Sequence, residues 1–168
     1  MANTLRGIYG TDVLIATGNS FTGNVLKARY TLKMAGSMIM PNCLSAYSSK
    51  MSGAELKETV KNFVEGYEGG FVPFNRGSLP VVSGIAVEVK EAGGSYTLTG
   101  ITRNGQPLRD DDTVTVTCLA AEKQMGALLA SESGTSLDGD TWVKNRWRDH
   151  VSGGGAALAE PENYMTLR

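Results

Sequence analysis

Apolar and polar positions alternate along this chain in short blocks whose period changes several times. Thr11-Asp12-Val13-Leu14-Ile15-Ala16-Thr17 is a short apolar run with polar ends, which predicts a buried strand. Gly18 to Asn24 follows, rich in small and amide side chains that turn easily and can offer backbone N–H groups to an acceptor. From Leu26 to Met40 the Tyr30, Met34, Met38 spacing predicts a helix. Pro41 ends it, because its ring disfavours helical geometry in the residue before it. Leu44 to Met51 alternates as a strand does and runs into Ser52-Gly53-Ala54-Glu55, a capping-box pattern. Leu56, Val60, Phe63 and Val64 then form one stripe of an amphipathic helix, which Gly66, Gly69 and Gly70 stop.

The middle of the chain is rich in hairpin signals. Glu68 to Leu79 is a loop with Phe71, Phe74 and Arg76 at its tip. Pro80 to Lys90 predicts one strand, in which Ile85, Val87 and Val89 alternate with Ala86, Glu88 and Lys90. Gly93-Gly94 turns the chain, Tyr96 to Thr102 returns it, and Asn104-Gly105 signals a type I′ turn. Thr113 to Cys118 alternates strictly, with Val114, Val116 and Cys118 inward and the threonines outward or in a polar cleft. Ala120 to Ala130 predicts a helix. Asp140 is the N-cap candidate of another, with Val143, Trp147, His150 and Val151 on one face and Gly153-Gly154-Gly155 as its stop. Tyr164 to Leu167 predicts a closing strand. The order of elements describes a single α+β domain over residues 4–168, with 1–3 outside it.

Composition narrows the picture. A length of 168 residues fits one domain, and 41% hydrophobic against 20% charged residues is enough for a core. Sixteen Lys plus Arg against 17 Asp plus Glu leave no cationic excess to displace counterions, which weighs against a nucleic-acid polymer as partner. No apolar run approaches the roughly 18–20 residues of a membrane-spanning helix, and Met1 to Arg6 lacks a secretory signal. Cys43 and Cys118 read as two small buried hydrophobes or as one long-range disulfide.

Few residues point to chemistry. Asp110-Asp111-Asp112 and Asp138-x-Asp140 lack the full spacing of a calcium loop and read as turn and cap residues. His150 reads as a packed, hydrogen-bonded histidine, and no G-x-S-x-G elbow occurs. The Thr17–Asn24 loop lacks the Walker lysine and the glycine spacing of dinucleotide motifs. The Phe71–Arg76 loop has two open readings: its rings and guanidinium can stack a base and hold an anion, or its phenylalanines cover the core edge.

Four stretches, in order, resemble the C-terminal domain of the 5′-nucleotidase / UDP-sugar hydrolase / 2′,3′-cyclic phosphodiesterase family. Asp12 to Gly18 is similar to the strand entering the family's Asn-Gly-Gly-x-Arg loop. Pro41-Asn42-Cys43-Leu44 with Met51 to Lys57 resembles its Pro-Phe-x-Asn-x-Leu strand and Thr-Gly-x-Glu-Leu helix start. Leu79 to Ile85, with Ile101 to Leu119, resembles the Leu-Gln-x-Ser-Gly strand and the paired strands after it. Ala159 to Thr166 resembles the closing Pro-x-x-Arg-Ile strand.

The resemblance implies a four-layer α/β/β/α domain that binds the nucleoside part of a nucleotide or a related phosphorylated small molecule. It implies a partner, an N-terminal metallophosphoesterase domain of the same parent chain, whose two divalent metal ions do the chemistry. No catalytic residue, metal ligand or cofactor is expected in this chain, and the parent is expected to be periplasmic, cell-surface or secreted. The implied contact set is Thr17, Asn19, Thr22 and Asn42, with Phe74 and Arg76 as substitutes for absent family residues. Thr22 stands where the family has a phosphate-binding arginine, and a hydroxyl lacks that charged fork. Thr117 to Gly126 lacks the family's stacking ring and ribose-binding aspartate, and Leu79 to Val82 lacks the second ring. The alternative is a scaffold domain that kept the fold and lost the pocket, with a cleft filled by Leu79 and Met125. A self-sufficient enzyme is disfavoured, because no nucleophile–base pair is visible.

Overall fold

The computed structural model describes residues 2–17, 44–66, 79–130, 135–136, 143–153 and 165–167. The expected helix over Leu26–Met40, the Phe71–Arg76 loop tip and the Asp140 cap lie outside the described residues. In chain order the elements are α1 (Ala2–Tyr9), β1 (Val13–Ala16), β2 (Leu44–Ser52), α2 (Gly53–Glu65), β3 (Val81–Ser83), β4 (Ala86–Ala92) and β5 (Ser95–Arg103). There follow β6 (Gln106–Pro107), β7 (Thr113–Ala121), α3 (Glu122–Leu128), β8 (Thr135–Ser136), α4 (Val143–Ser152) and β9 (Met165–Leu167).

The strands form a five-stranded sheet in the order β3-β1-β7-β2-β8 and a four-stranded sheet in the order β6-β5-β4-β9. β1 runs parallel to β7, from Val13 opposite Val116 to Ala16 opposite Leu119. β2 runs antiparallel to β7 along its whole length, from Leu44 opposite Ala121 to Ser52 opposite Thr113. Strand alternation sorts the five-stranded sheet into two faces. Val13, Ile15, Val116 and Cys118 pack with Val87 and Ile101 of the other sheet and with α2, forming the main core. Leu14, Ala16, Ala46 and Leu119 point the other way, beneath Leu5 of α1 and Val143 and Trp147 of α4. This is the α+β architecture with two sheets.

The local chemistry of α2 follows its sequence. Ser52 accepts a hydrogen bond from the Glu55 amide at 3.2 Å, and Glu55 Oε2 accepts one from the Ser52 amide at 2.8 Å, which closes the capping box. Such a cap stabilises a helix by about 1 kcal/mol. Leu56, Val60 and Phe63 of the expected stripe are buried in the main core, each contributing about 1.5–3 kcal/mol. Asn104 and Gly105 have φ of 52° and 75°, the positive pair a type I′ turn requires.

Three features depart from the sequence reading. The strand expected over Pro80–Lys90 is two strands in different sheets, separated at Gly84-Ile85. Gly84 has φ +87°, and a Cβ there would stand 2.1 Å from Asp12 O, so a glycine carries the crossing between sheets. Ala120 and Ala121 extend β7 rather than opening a helix, since β2 pairs with them and that ladder outweighs alanine's helical preference. Helix α1 was not anticipated. Its Leu5 is fully buried, and its Asn3 accepts a hydrogen bond from Ser83 Oγ.

Candidate functional site

Parallel strands place their carboxyl ends at one edge of a sheet, the edge at which ligand-binding loops gather in α/β folds. Here β1 and β7 form such a pair. Thr17 follows β1, is 4% exposed, and donates its amide to Leu119 O at 3.1 Å. Leu44 opens β2 opposite Ala121, and Pro80 precedes Val81, which pairs with Ala16. Thr17, Leu44 and Pro80, which adjoin the undescribed stretches or lie beside them, therefore share this edge with the end of β7. Of the expected contact set, Thr17 is placed there; Asn19, Thr22, Asn42, Phe74 and Arg76 lie outside the described residues.

Other candidate groups are occupied by the fold itself. The N-terminus of α2 is closed by its box and by loop carbonyls: Gly53 N donates to Asp112 O at 2.7 Å and Ala54 N to Asp110 O at 3.2 Å. Asp110 pairs with Lys57 and Asp111 with Arg109, both at 2.7 Å, while Asp112 Oδ2 accepts from the Arg109 amide. That acidic run is a turn, as its sequence suggests. Cys118 is a buried free thiol, and burial pushes its pKa up to about 12, so it is no nucleophile. His150 packs against Trp147 with ring centroids 6.3 Å apart. Among the described residues its buried Nε2 has no hydrogen-bond partner. Among the described residues no three His, Cys, Asp or Glu side chains gather to hold a metal ion, and no helix is long and apolar enough to cross a membrane.

The opposite end of β1 holds a cluster that sequence reasoning missed. Asp12 Oδ2 accepts from the amide and hydroxyl of Thr115, both at 2.8 Å, and Oδ1 accepts from Arg103 Nη2 at 2.9 Å. Arg6 Nη1 donates to the Asp12 carbonyl at 3.1 Å. The Thr115 amide foremost, then its hydroxyl and the Arg103 and Arg6 charges, hold the Asp12 carboxyl below its usual range against the cost of burial. Thr117, fully buried, meets Thr11 hydroxyl to hydroxyl at 3.0 Å. The one signal in the sequence was an aspartate abutting a wholly apolar strand; its partners stand up to 103 positions away.

No protein-family model matches the chain, and no curated protein matches it in sequence. Solved structures do match its fold. A 5′-nucleotidase precursor of Thermus thermophilus is 16% identical with a TM-score of 0.71, over 99% of this chain and 34% of that one. The NAD nucleotidase of Haemophilus influenzae is 15% identical with a TM-score of 0.66, over 99% and 32%. The sulfate thiohydrolase of Thermus thermophilus is 12% identical with a TM-score of 0.65, over 97% and 30%. The chain thus spans about a third of the length of these structures. At such identities the likeness is one of fold, and that fold is 5′-nucleotidase-like.

Proposed function

We propose that the chain is the substrate-recognition domain of a metal-dependent 5′-nucleotidase-type phosphoester hydrolase, binding the nucleoside part of a nucleotide at the carboxyl edge of β1 and β7. The observation that carries this reading is the match of nearly the whole chain to about a third of each 5′-nucleotidase structure. In this reading a metallophosphoesterase domain of the same parent polypeptide holds two divalent metal ions, which supply the nucleophile and stabilise the phosphoryl charge. The described residues do not fit such a metal pair, because no three of their His, Cys, Asp or Glu side chains gather and Asp12, Asp110 and Asp111 are held by protein donors. This chain then recognises substrate without hydrolysing it, and its parent works in the periplasm, at the cell surface or outside the cell. Thr17, Asn19, Thr22 and Asn42 supply hydroxyl and amide contacts, Phe74 stacks the base and Arg76 holds phosphate.

A second reading, a scaffold domain without a pocket, is supported by two side chains. Met125 is buried in the main core and Leu79 packs against it, where the family places ligand-binding groups. Thermal unfolding with nucleosides and nucleoside monophosphates separates the two. A bound ligand at a hundredfold excess over Kd adds about 2.7 kcal/mol of stability. An unchanged transition with all of them removes the nucleotide reading and leaves the scaffold.

A further inference from the structure

The cluster at the amino end of β1 has more cationic capacity than its fold uses. Arg103 pairs with Asp12 Oδ1, and Arg6 is bonded to the Asp12 backbone carbonyl, so two guanidinium charges face one carboxylate. Arg6 is also near enough for its charge to act on that carboxylate. A guanidinium carries five N–H donors in a planar fork, and each of these two arginines uses a single nitrogen in the bonds it makes among the described residues. The Arg103 side chain is 28% exposed, and no nitrogen of Arg6 or Arg103 is both buried and unbonded among the described residues, so their remaining donors can be reached from solvent. The neighbouring hydroxyls are already committed: Thr115 to Asp12, and Thr11 to Val13 O and Thr117. Gly84 closes the wall, since a Cβ there would fall 2.7 Å from Arg6 Nη1. What this corner offers is net positive charge and fork-shaped donors, the complement of an oxyanion.

We propose that Arg6 and Arg103 form an oxyanion-binding site, for a carboxylate or a phosphate, held in place by Asp12. The site stands apart from the nucleoside edge: Asp12 and Thr17 bracket β1, about 16 Å apart at the rise of an extended chain. The inference does not rest on the proposed function. Its test uses inorganic phosphate and acetate as probes at fixed ionic strength, followed by the Arg Nε–Hε resonances of the whole chain and by its unfolding midpoint. Saturable shifts of the Arg6 and Arg103 signals are expected with at least one anion, and the anion that saturates identifies the source. Arg6→Gln, which leaves the Asp12–Arg103 pair intact, should weaken that binding about tenfold or more. Arg103→Gln should do the same where it folds. A linear, non-saturating response to both anions, or undiminished binding by Arg6→Gln, overturns the site. Adenosine, which carries no oxyanion, serves as the separate probe of the nucleoside edge, so either idea can fail alone.

Discussion

Replacing glycine by alanine inside a helix ordinarily stabilises it by about 1 kcal/mol. At the first residue of α2 the structure reverses that sign. A Cβ on Gly53 would lie 1.8 Å from Arg109 O and 2.9 Å from Arg109 C, both backbone atoms that cannot swing aside as a side-chain tip can. The loop is also tied to this helix start by the bonds from Gly53 N to Asp112 O and Ala54 N to Asp110 O. Moving it away forfeits both, at about 1 kcal/mol each. Leaving it in place compresses the contact, with overpacking strain of about 1–3 kcal/mol. Set against the propensity gain, Gly53→Ala should destabilise the chain by about 1–2 kcal/mol. Gly126 in α3 is the internal contrast, being exposed with no atom of the described residues beyond its own helical turn within 4 Å of an added Cβ. Gly126→Ala should stabilise by up to about 1 kcal/mol. Equilibrium urea unfolding measures both as midpoint shifts at constant slope. A Gly53→Ala protein that unfolds at or above the parent midpoint would refute the close-approach argument.

Two further outcomes follow from the titrating groups. The folded-state pKa of Asp12 lies below its ordinary 3.8, so its contribution to stability is present above that pH and is lost as pH falls through the lower folded value. Asp12→Asn should therefore lower the urea midpoint near neutrality and flatten its acid dependence. Parallel acid limbs in the two proteins would contradict the linkage. Cys118, with its thiol pushed up to about 12, should resist alkylation in the native state at mildly alkaline pH and react once urea unfolds the chain. Native-state labelling of Cys118 by mass spectrometry would show that it is not sealed in the core.

Where one period dominates and one partner decides, the sequence was informative. The Leu56, Val60, Phe63 stripe, the Ser52–Glu55 box and the Val114, Val116, Cys118 face all sit as their spacing requires. Local pattern failed where a distant strand chose the conformation. Ala120 and Ala121 are strand because β2 reaches them, and Pro80 to Lys90 is split because Gly84 must pass Asp12. Helix α1 has an apolar face of Ala2, Leu5, Ile8 and Tyr9 at near-helical spacing, in a stretch read only for a targeting signal. The candidate edge was legible as the run ending at Thr17. The Asp12 cluster was not, since Arg103 and Thr115 come to Asp12 from 91 and 103 positions away. Charge pairs of that separation leave no periodic trace.

The meeting of Thr17, Leu44, Pro80 and Ala121 along one sheet margin has an evolutionary consequence. Substitutions and insertions beyond those posts leave the ladder between β1, β2, β3 and β7 intact, so the sequence there can change without re-solving the folding problem. The same fold is seen at 12–16% identity with TM-scores of 0.65–0.71. That fold recurs in proteins named for nucleotides, a dinucleotide and a sulfur compound.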